Sequence, residues 1–324
     1  MNRSKGHRVL LKIFLKLRPL FVLLCIMLLH PAIEAAATSR HYILTTATTG
    51  GTYYPVGVAL ATLTKVKLEP SHHIALSAVS SAGSAENIAM LRENRAQFAI
   101  LQSLYGAWAI NGSGQLAQDG PQPWLRSITM LWQNVEHFVI RTDFVRTRDM
   151  RDLAELKDSW FSLGQRHSGT EGSGRYILQQ LGYIPEDAFQ IASIDYGSNA
   201  LAIQNGSIDG MNIPGGPPVN GVSQAFSTMG KDLTILNFTD EQLSKTNSRY
   251  PLWSRYIIKP GTYPGQDSPI ATIAQPNFLA VRSDIDDETV YLIVKTIYEN
   301  LDFLHIIHSA TQGLSLEKAI DNMV

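Results

Sequence analysis

Short apolar runs alternate with amphipathic stretches from residue 41 onward. The apolar runs have the length of buried strands, and the stretches between them repeat their apolar residues at helical spacing. This alternation is typical of parallel sheets with helices on their faces, and it predicts an α/β fold. The predicted strands are 41–48, 73–80, 98–103, 137–144, 160–164 and 208–213, and the predicted helices are 55–66, 84–95, 169–182 and 197–206.

A long excursion divides this pattern into two lobes. The predicted strand 137–144 leads into a charged helix start at 148–158, and the Pro/Gly-rich segment 258–284 becomes β-like before a last helix at 286–304. The sequence therefore predicts that the chain leaves lobe I near 140–145 and returns to it near 255–275. We expect lobe I to comprise 38–142 plus 256–324, and lobe II to comprise 143–255. Two such lobes enclose a cleft, where the carboxyl ends of the strands place ligands.

Residues 1–37 have the pattern of a cleaved secretory signal. Six basic residues precede an apolar run of ten, 20–29, and Ala35–Ala37 supply an A-x-A cleavage site. A permanent anchor is the weaker interpretation, because a membrane-spanning helix needs roughly 20 residues. The pattern predicts export to the periplasm, with cleavage after Ala37.

Charge and cysteine content exclude several classes of protein. The predicted signal contains six of the 27 basic residues and one of the 28 acidic ones, so the remainder carries a formal charge of −6. This charge argues against binding to nucleic acid. The single cysteine, Cys25, lies within the predicted signal. The predicted mature chain therefore has no disulfide, thiolate nucleophile or cysteine-ligated metal.

Three loops rich in small residues each follow a predicted strand and precede a predicted helix. They are TTGGTYYPVG at 48–57, SSAGSAEN at 80–87 and LGQRHSGTEGSGRY at 163–176. Glycines permit close approach of the backbone to a ligand, and free amides at a helix start favour an anion. Each loop alone is also explained by a tight turn or an ordinary helix cap. Together they indicate hydrogen-bond donors around one small polar or anionic ligand.

Motifs for catalysis and metal binding are weak. The run 169–176 resembles a phosphate loop, but Arg175 replaces the required lysine and Tyr176 the required hydroxyl residue. GVSQA at 221–225 matches a loose nucleophile elbow around Ser223 without a clear preceding strand. The histidines at 72, 73, 305 and 308 lack carboxylates at ligand spacing. We therefore expect no catalytic residue, metal or cofactor.

In order along the chain, the motifs resemble TAXI-type solute receptors of tripartite ATP-independent periplasmic (TRAP) transporters. The resemblance lies in TTGGTYYPVG, SSAGSAEN, AILQS (99–103), HFVIRTD (137–143), the run 164–170, IDGMNIPGGPP (208–218) and GTYPGQD (261–267). It implies a two-lobed periplasmic-binding-protein fold of type II-like topology. It also implies a receptor that binds a small anionic or zwitterionic solute, such as a glutamate-like amino acid, a dicarboxylate or a keto acid. Such a receptor closes and docks on the membrane permease subunits of the transporter.

The resemblance also implies which residues bind the solute. They are Gly50, Gly51, Thr52, Tyr53, Tyr54, Ser81, Ala82, Gly83, Ser84, Gln102, Ser103, Ser168, Gly169 and Thr170, with Gly215 and Gly216 at the edge.

The chain departs from the family at three places in the predicted cleft. Leu104 replaces the usual aspartate, and Trp132-Gln133-Asn134 replaces a tyrosine-proline-glutamate. Arg166 and His167 stand in a loop that is usually small or proline-rich. Trp132, Arg166 and His167 therefore also belong to the predicted site. An acid lost and an arginine gained favour a more anionic or larger solute than the family norm.

Two other functions remain open from sequence. A similar receptor can signal to a membrane partner instead of feeding a permease. A periplasmic hydrolase is the other alternative, and the lack of a convincing nucleophile–base pair counts against it.

Overall fold

The computed structural model describes residues 39–320. The predicted secretory signal lies outside the described residues. In residues 39–320, no helix has both the length and the apolar character to cross a membrane. The described part is a mixed α/β structure with two sheets, which confirms the predicted fold class.

The first sheet has six strands. They are β1 (Arg40–Thr45), β2 (Ile74–Val79), β3 (Phe98–Gln102), β4 (Leu125–Val135), β10 (Ser254–Ile258) and β11 (Ile270–Arg282). Strand β1 pairs in parallel with β2 and β3. Strand β11 is antiparallel to β3, β4 and β10. The parallel strands therefore end at one common edge of the sheet.

The second sheet has five short strands in the order β7-β6-β8-β5-β9. They are β5 (Phe138–Arg141), β6 (Trp160–Ser162), β7 (Gln190–Ala192), β8 (Gly210–Asn212) and β9 (Leu233–Ile235). Strand β6 is parallel to β7 and β8, whereas β5 is antiparallel to β8 and β9. This sheet also ends its parallel strands at a common edge.

Ten helices cover the two sheets in the described part. They are α1 (Tyr53–His72), α2 (Ser84–Arg92), α3 (Ser103–Asn111), α4 (Gly169–Gln180), α5 (Pro185–Ala188), α6 (Tyr196–Gln204), α7 (Asn220–Met229), α8 (Asp240–Thr246), α9 (Asp287–Tyr298) and α10 (Leu301–Ile307). Their apolar faces form three buried clusters with the strands. One contains Leu60 and Ile293, one contains Leu101 and Phe161, and one contains Met211. Since Leu101 belongs to the first sheet and Phe161 to the second, the cluster that contains these two residues connects both sheets.

The chain passes between the sheets twice. It leaves the first sheet after Val135 and enters the second at Phe138, several residues before the predicted boundary at 142. Strand β5 belongs to the second sheet because its partners are β8 and β9. The return, at Ser254, lies beside the predicted boundary at 256. The division into two lobes that move independently stays a prediction.

Several predicted elements differ in the structure. The charged segment 148–158 contains a 3₁₀ helix, Met150–Leu156, and Asp149 caps its start. The predicted helix 286–304 is divided between α9 and α10 at Glu299 and Asn300. The sequence did not predict the strands β4, β7, β9 and β10 or the helices α3, α5, α7 and α8. The local sequence signal for β4 is weak because this strand is stabilised by its long pairing with β11, which is distant in sequence.

Candidate functional site

A cavity lies where helix starts from both sheets meet. Helices α1 and α2 begin after strands of the first sheet, and α4 and α6 begin after strands of the second. Before α1, α2 and α4 the loop that follows the strand is rich in glycine and hydroxyl residues, which allow a tight turn into the helix. The predicted residues that line the cavity are Gly51, Thr52, Tyr53, Ala82, Gly83, Ser84, Gln102, Ser168, Gly169, Thr170 and Gly215.

The walls of the cavity are in contact with each other. The cavity volume is about 40 Å³, measured as the space open to the centre of a water molecule. This is room for about three waters. Gly83 has a φ of 127°, and a Cβ atom there would lie 3.1 Å from the backbone nitrogen of Gly169. Thr52 Oγ1 accepts a hydrogen bond from the Gly216 backbone nitrogen at 3.1 Å. The structure is therefore a closed arrangement.

The first wall consists of Gly51, Thr52, Tyr53, Ala82, Gly83, Ser84, Gln102 and Asn134. Neither α1 nor α2 has a hydrogen bond from an N-cap side chain. The backbone N–H groups of a first helical turn have no partner inside the helix, and at α2 the Glu86 nitrogen already donates to the His167 carbonyl at 3.1 Å. Two carboxamides at this wall also have unpartnered atoms among the described residues, Gln102 Oε1 and Asn134 Nδ2. Gln102 is 3% exposed and Asn134 is 1% exposed, so both wall carboxamides are deeply buried.

The second wall consists of Gln165, Ser168, Gly169, Thr170, Asp195, Tyr196, Pro214 and Gly215. Here the helix starts are capped. Ser168 Oγ accepts from the Glu171 nitrogen at 3.0 Å, and Asp195 accepts from the Gly197 nitrogen at 2.9 Å. The hydroxyls are also paired, because Thr170 Oγ1 lies 2.5 Å from the Tyr196 hydroxyl, which donates to the Pro214 carbonyl at 2.7 Å.

Asp195 is the one ionised side chain that lines the cavity in the described part, where no lysine or arginine does so. Burial opposes ionisation of Asp195, but hydrogen bonds from Ser198 and Gly197 outweigh it and lower its pKa. Burial raises the pKa of Tyr53 and of Tyr196 well above the ordinary value, so both phenols are neutral. Since no basic side chain lines the cavity, the groups there that favour an anion are the helix starts.

Some predicted residues lie behind the cavity wall. Ser81 Oγ accepts from the Gly83 nitrogen at 3.0 Å and holds that turn. Ser103 Oγ donates to the Pro276 carbonyl. Trp132 packs edge-on against Tyr53, with 5.7 Å between ring centroids, and thereby supports it. Gly50 lies against Gly197, where a Cβ atom would meet the backbone nitrogen at 3.0 Å.

The other predicted residues are outside the cavity. Tyr54 is half-buried and does not line it. Gly216 contacts Thr52 through its backbone. Arg166 and His167 are exposed and lie in an outer groove. The turn explains this placement, because His167 has a φ of 63° and its nitrogen bonds to Glu171. The structure therefore gives no support to the hypothesis that Arg166 faces the solute.

Several lining residues escaped the sequence analysis, namely Ala47, Thr48, Asn134, Gln165, Asp195, Tyr196 and Pro214. Asn134 lies on strand β4, which the sequence did not predict. The triplet 132–134 nevertheless stands out in the sequence because it differs from the tyrosine-proline-glutamate of the TAXI-type receptors. Asp195 and Tyr196 directly precede the predicted helix 197–206, and an aspartate before a helix is a common N-cap signal. That signal identifies the loop between β7 and α6.

Arg175 and Ser223, the critical residues of the weak catalytic motifs, do not line the cavity. Arg175 forms ion pairs with Glu171 and Glu186 on the surface. Ser223 lies inside α7, not on a turn after a strand. No group of three His, Cys, Asp or Glu side chains in residues 39–320 is placed to hold a metal ion.

The sequence matches the NMT1-like family over residues 44–324. This chain belongs to the NMT1-like family. Solved structures share its fold at low sequence identity. One is the binding-protein component of an ABC phosphonate transporter from Pseudomonas aeruginosa. It is 12% identical, with a TM-score of 0.53 over 85% of this chain and 80% of that chain.

Another similar structure is a Xanthomonas citri protein solved with bound ATP. It is 10% identical, with a TM-score of 0.51 over 86% of this chain and 92% of that chain. These likenesses confirm the two-lobed binding-protein fold that the sequence predicted.

Proposed function

We propose that this NMT1-like protein is a periplasmic solute-binding receptor that delivers a small organic acid or amino acid to a membrane transporter. The observation that carries the proposal is the first wall of the cavity. Its helix starts lack an N-cap side chain, and its buried carboxamides have unpartnered atoms. A buried polar atom without a partner costs on the order of 1–3 kcal/mol, and a polar solute would remove that cost.

The chemistry of the cavity favours a solute with one compact anionic group. Helix starts stabilise an anion, and the carboxamides of Gln102 and Asn134 can bind a second, neutral polar group. A second carboxylate would find no basic side chain at this cavity. We therefore favour a monocarboxylate, a keto acid or a zwitterion over a dicarboxylate.

The fold supports the transport role. Binding-protein components of transporters share it, as the phosphonate-transporter structure illustrates. We propose that the permease is of the TRAP type, on the motif resemblance. Deletion of the receptor should then abolish uptake of the solute by whole cells, whereas unchanged uptake would contradict the delivery role.

Binding itself is tested by thermal unfolding in the presence of pyruvate, 2-oxoglutarate, glutamate, succinate and methylphosphonate. A solute that binds only the folded chain at about 100 times its Kd stabilises it by about 2.7 kcal/mol. We expect at least one organic acid to raise the unfolding temperature. Gln102→Met should reduce the shift in unfolding temperature that the solute causes. The control Gln118→Met should leave that shift unchanged, because Gln118 is exposed and lies outside the cavity.

If no solute shifts the unfolding temperature, the binding proposal fails. It also fails if the Gln102→Met variant responds to the solute as fully as the Gln118→Met variant.

A further inference from the structure

Glu136 lies where the chain passes from the first sheet to the second. Its backbone nitrogen donates to the Ile273 carbonyl at 2.9 Å, and its carbonyl accepts from Thr272 Oγ1 at 2.8 Å. Both partners belong to β11 of the first sheet. Its side chain instead accepts a hydrogen bond from Asn212 Nδ2 at 3.1 Å, and Asn212 belongs to β8. Glu136 is thus bound to one sheet by its backbone and to the other by its carboxyl group.

The carboxyl group of Glu136 is completely buried. Ser173, Trp253 and Gln275 face it from helix α4, from the segment before β10 and from β11. The Ser173 hydroxyl, the Trp253 indole nitrogen and the Gln275 amide nitrogen complete no hydrogen bond among the described residues, and neither does Glu136 Oε1. A carboxylate in this place would have one oxygen poorly stabilised, because a buried charge needs several hydrogen bonds or a counter-ion.

No salt bridge in the described part involves Glu136, and the main influences on its pKa include no basic side chain. Tyr53 and Tyr196 are in electrostatic range of Glu136, and burial keeps both neutral. The neighbouring His137 directs its ring to the Val135 carbonyl and the Tyr263 hydroxyl. Burial lowers the pKa of His137 to about 4, so the ring is neutral as well.

Desolvation dominates the titration of this carboxyl. Burial raises the pKa of Glu136 to about 7, although the hydrogen bond from Asn212 and the nearby polar groups of Trp253, Gln275 and Ser173 oppose the rise. A hydrated glutamate has a pKa of 4.5. The buried form therefore holds its proton about 300-fold more tightly than a hydrated one.

We propose that Glu136 is a proton-dependent latch between the two sheets, protonated when the cleft is closed and ionised when the cleft opens and water reaches the carboxyl. The inference rests on the proposed binding function, which requires opening. Since the closed form has the raised pKa, closure is fully supported below pH 4.5. The equilibrium constant for closure falls about tenfold per pH unit from pH 4.5 to about 7 and does not change further at higher pH. Acidification thus favours the closed, solute-retaining form.

The latch is tested on the purified chain without any solute, so its outcome is independent of whether a ligand is found. The radius of gyration is measured by small-angle X-ray scattering between about pH 4.5 and about pH 8, on both sides of the titration range. We expect the wild type to expand as the pH rises to about 7. Glu136→Gln, which keeps the neutral shape, should stay compact throughout. The control Glu155→Gln should follow the wild type, because Glu155 is exposed.

Infrared spectroscopy of the wild type provides a second readout if Glu136→Gln does not fold. The carbonyl band of a protonated carboxyl should persist at about pH 6, where exposed carboxyls are ionised, and disappear near pH 7. Two results would overturn the latch. One is equal pH dependence of the radius of gyration in the wild type and in Glu136→Gln. The other is loss of the protonated band near pH 4.5.

Discussion

The two walls of the cavity are built from the same local motif but use it differently. Each wall places helix starts after strands, with glycines and hydroxyl residues at the turn. In the first wall the starts of α1 and α2 lack a capping side chain, and Gln102 and Asn134 have unpartnered atoms. In the second wall Ser168 and Asp195 cap their own helices.

The difference indicates that the two walls have different roles in binding. In the first wall the carboxamides of Gln102 and Asn134 have atoms left for a solute, whereas in the second wall the hydroxyl and carboxyl side chains are hydrogen-bonded within the wall. We infer that the solute is recognised mainly by the first wall and that the second wall closes over it. Substitutions in the two walls should therefore differ in their effects on binding and on stability.

The largest effect is expected at Gly83, where the walls touch. Gly83→Ala adds a Cβ atom 3.1 Å from the Gly169 nitrogen, at a φ of 127°. We expect solute binding to fall by about 100-fold, because an overpacked contact of this kind costs about 1–3 kcal/mol and must be relieved by separating the walls. Titration calorimetry measures the change. The control is Gly182→Ala, which has a φ of 90° and no atom within 4 Å of the added Cβ.

Both variants should unfold at lower temperature, since both strain the backbone by about 1–3 kcal/mol. If Gly182→Ala weakens binding as much as Gly83→Ala, the contact between the walls has no special role.

Gln102→Met should weaken binding by about tenfold to 100-fold without loss of stability. The carboxamide is buried, its oxygen is unpartnered, and methionine has a similar shape, so removal of the amide costs the folded chain nothing. Calorimetry measures the change in Kd, and thermal unfolding measures the change in stability. A variant that loses stability while it retains binding would show that Gln102 is a structural residue.

Tyr196→Phe should show the opposite pattern in the second wall. It removes the hydrogen bonds to Thr170 and to the Pro214 carbonyl, so the free energy of unfolding should fall by about 1 kcal/mol. Binding should change only about threefold, because those bonds are made within the wall. Chemical denaturation measures the first quantity, and a loss of binding above tenfold would place Tyr196 among the recognition residues.

The smallest effect is expected for Arg166→Ala. Its side chain is exposed in the outer groove and does not line the cavity, and salt screens the charge of an exposed side chain. The Kd should change less than about twofold at physiological ionic strength. A change above tenfold for an acidic solute would restore the sequence hypothesis that Arg166 contacts the ligand.

The sequence was most informative where the signal is local. The loops 48–57, 80–87 and 163–176 were predicted to converge because glycine and hydroxyl residues lie between strand and helix patterns. The structure brings parts of all three together. The α/β class followed from the same alternation.

The rest depends on distant pairing or on the orientation of single side chains. Asn134 reaches the cavity through the register of β4 on β11, in which it pairs with Gln275. No local pattern contains that register. Arg166 belongs to the correct loop but faces outward because of the turn at His167. A loop near a site therefore does not establish that each of its residues faces the site.

One comparison tests the central claim, that the first wall recognises the solute, most directly. The Kd of the best solute from the thermal screen is measured by calorimetry for the wild type, Asn134→Leu and Thr170→Val. Both substitutions replace a polar group with an apolar one of similar shape. We expect Asn134→Leu to weaken binding by about tenfold or more and Thr170→Val by less than about threefold. Equal losses, or a larger loss in Thr170→Val, would contradict the assignment of recognition to the first wall.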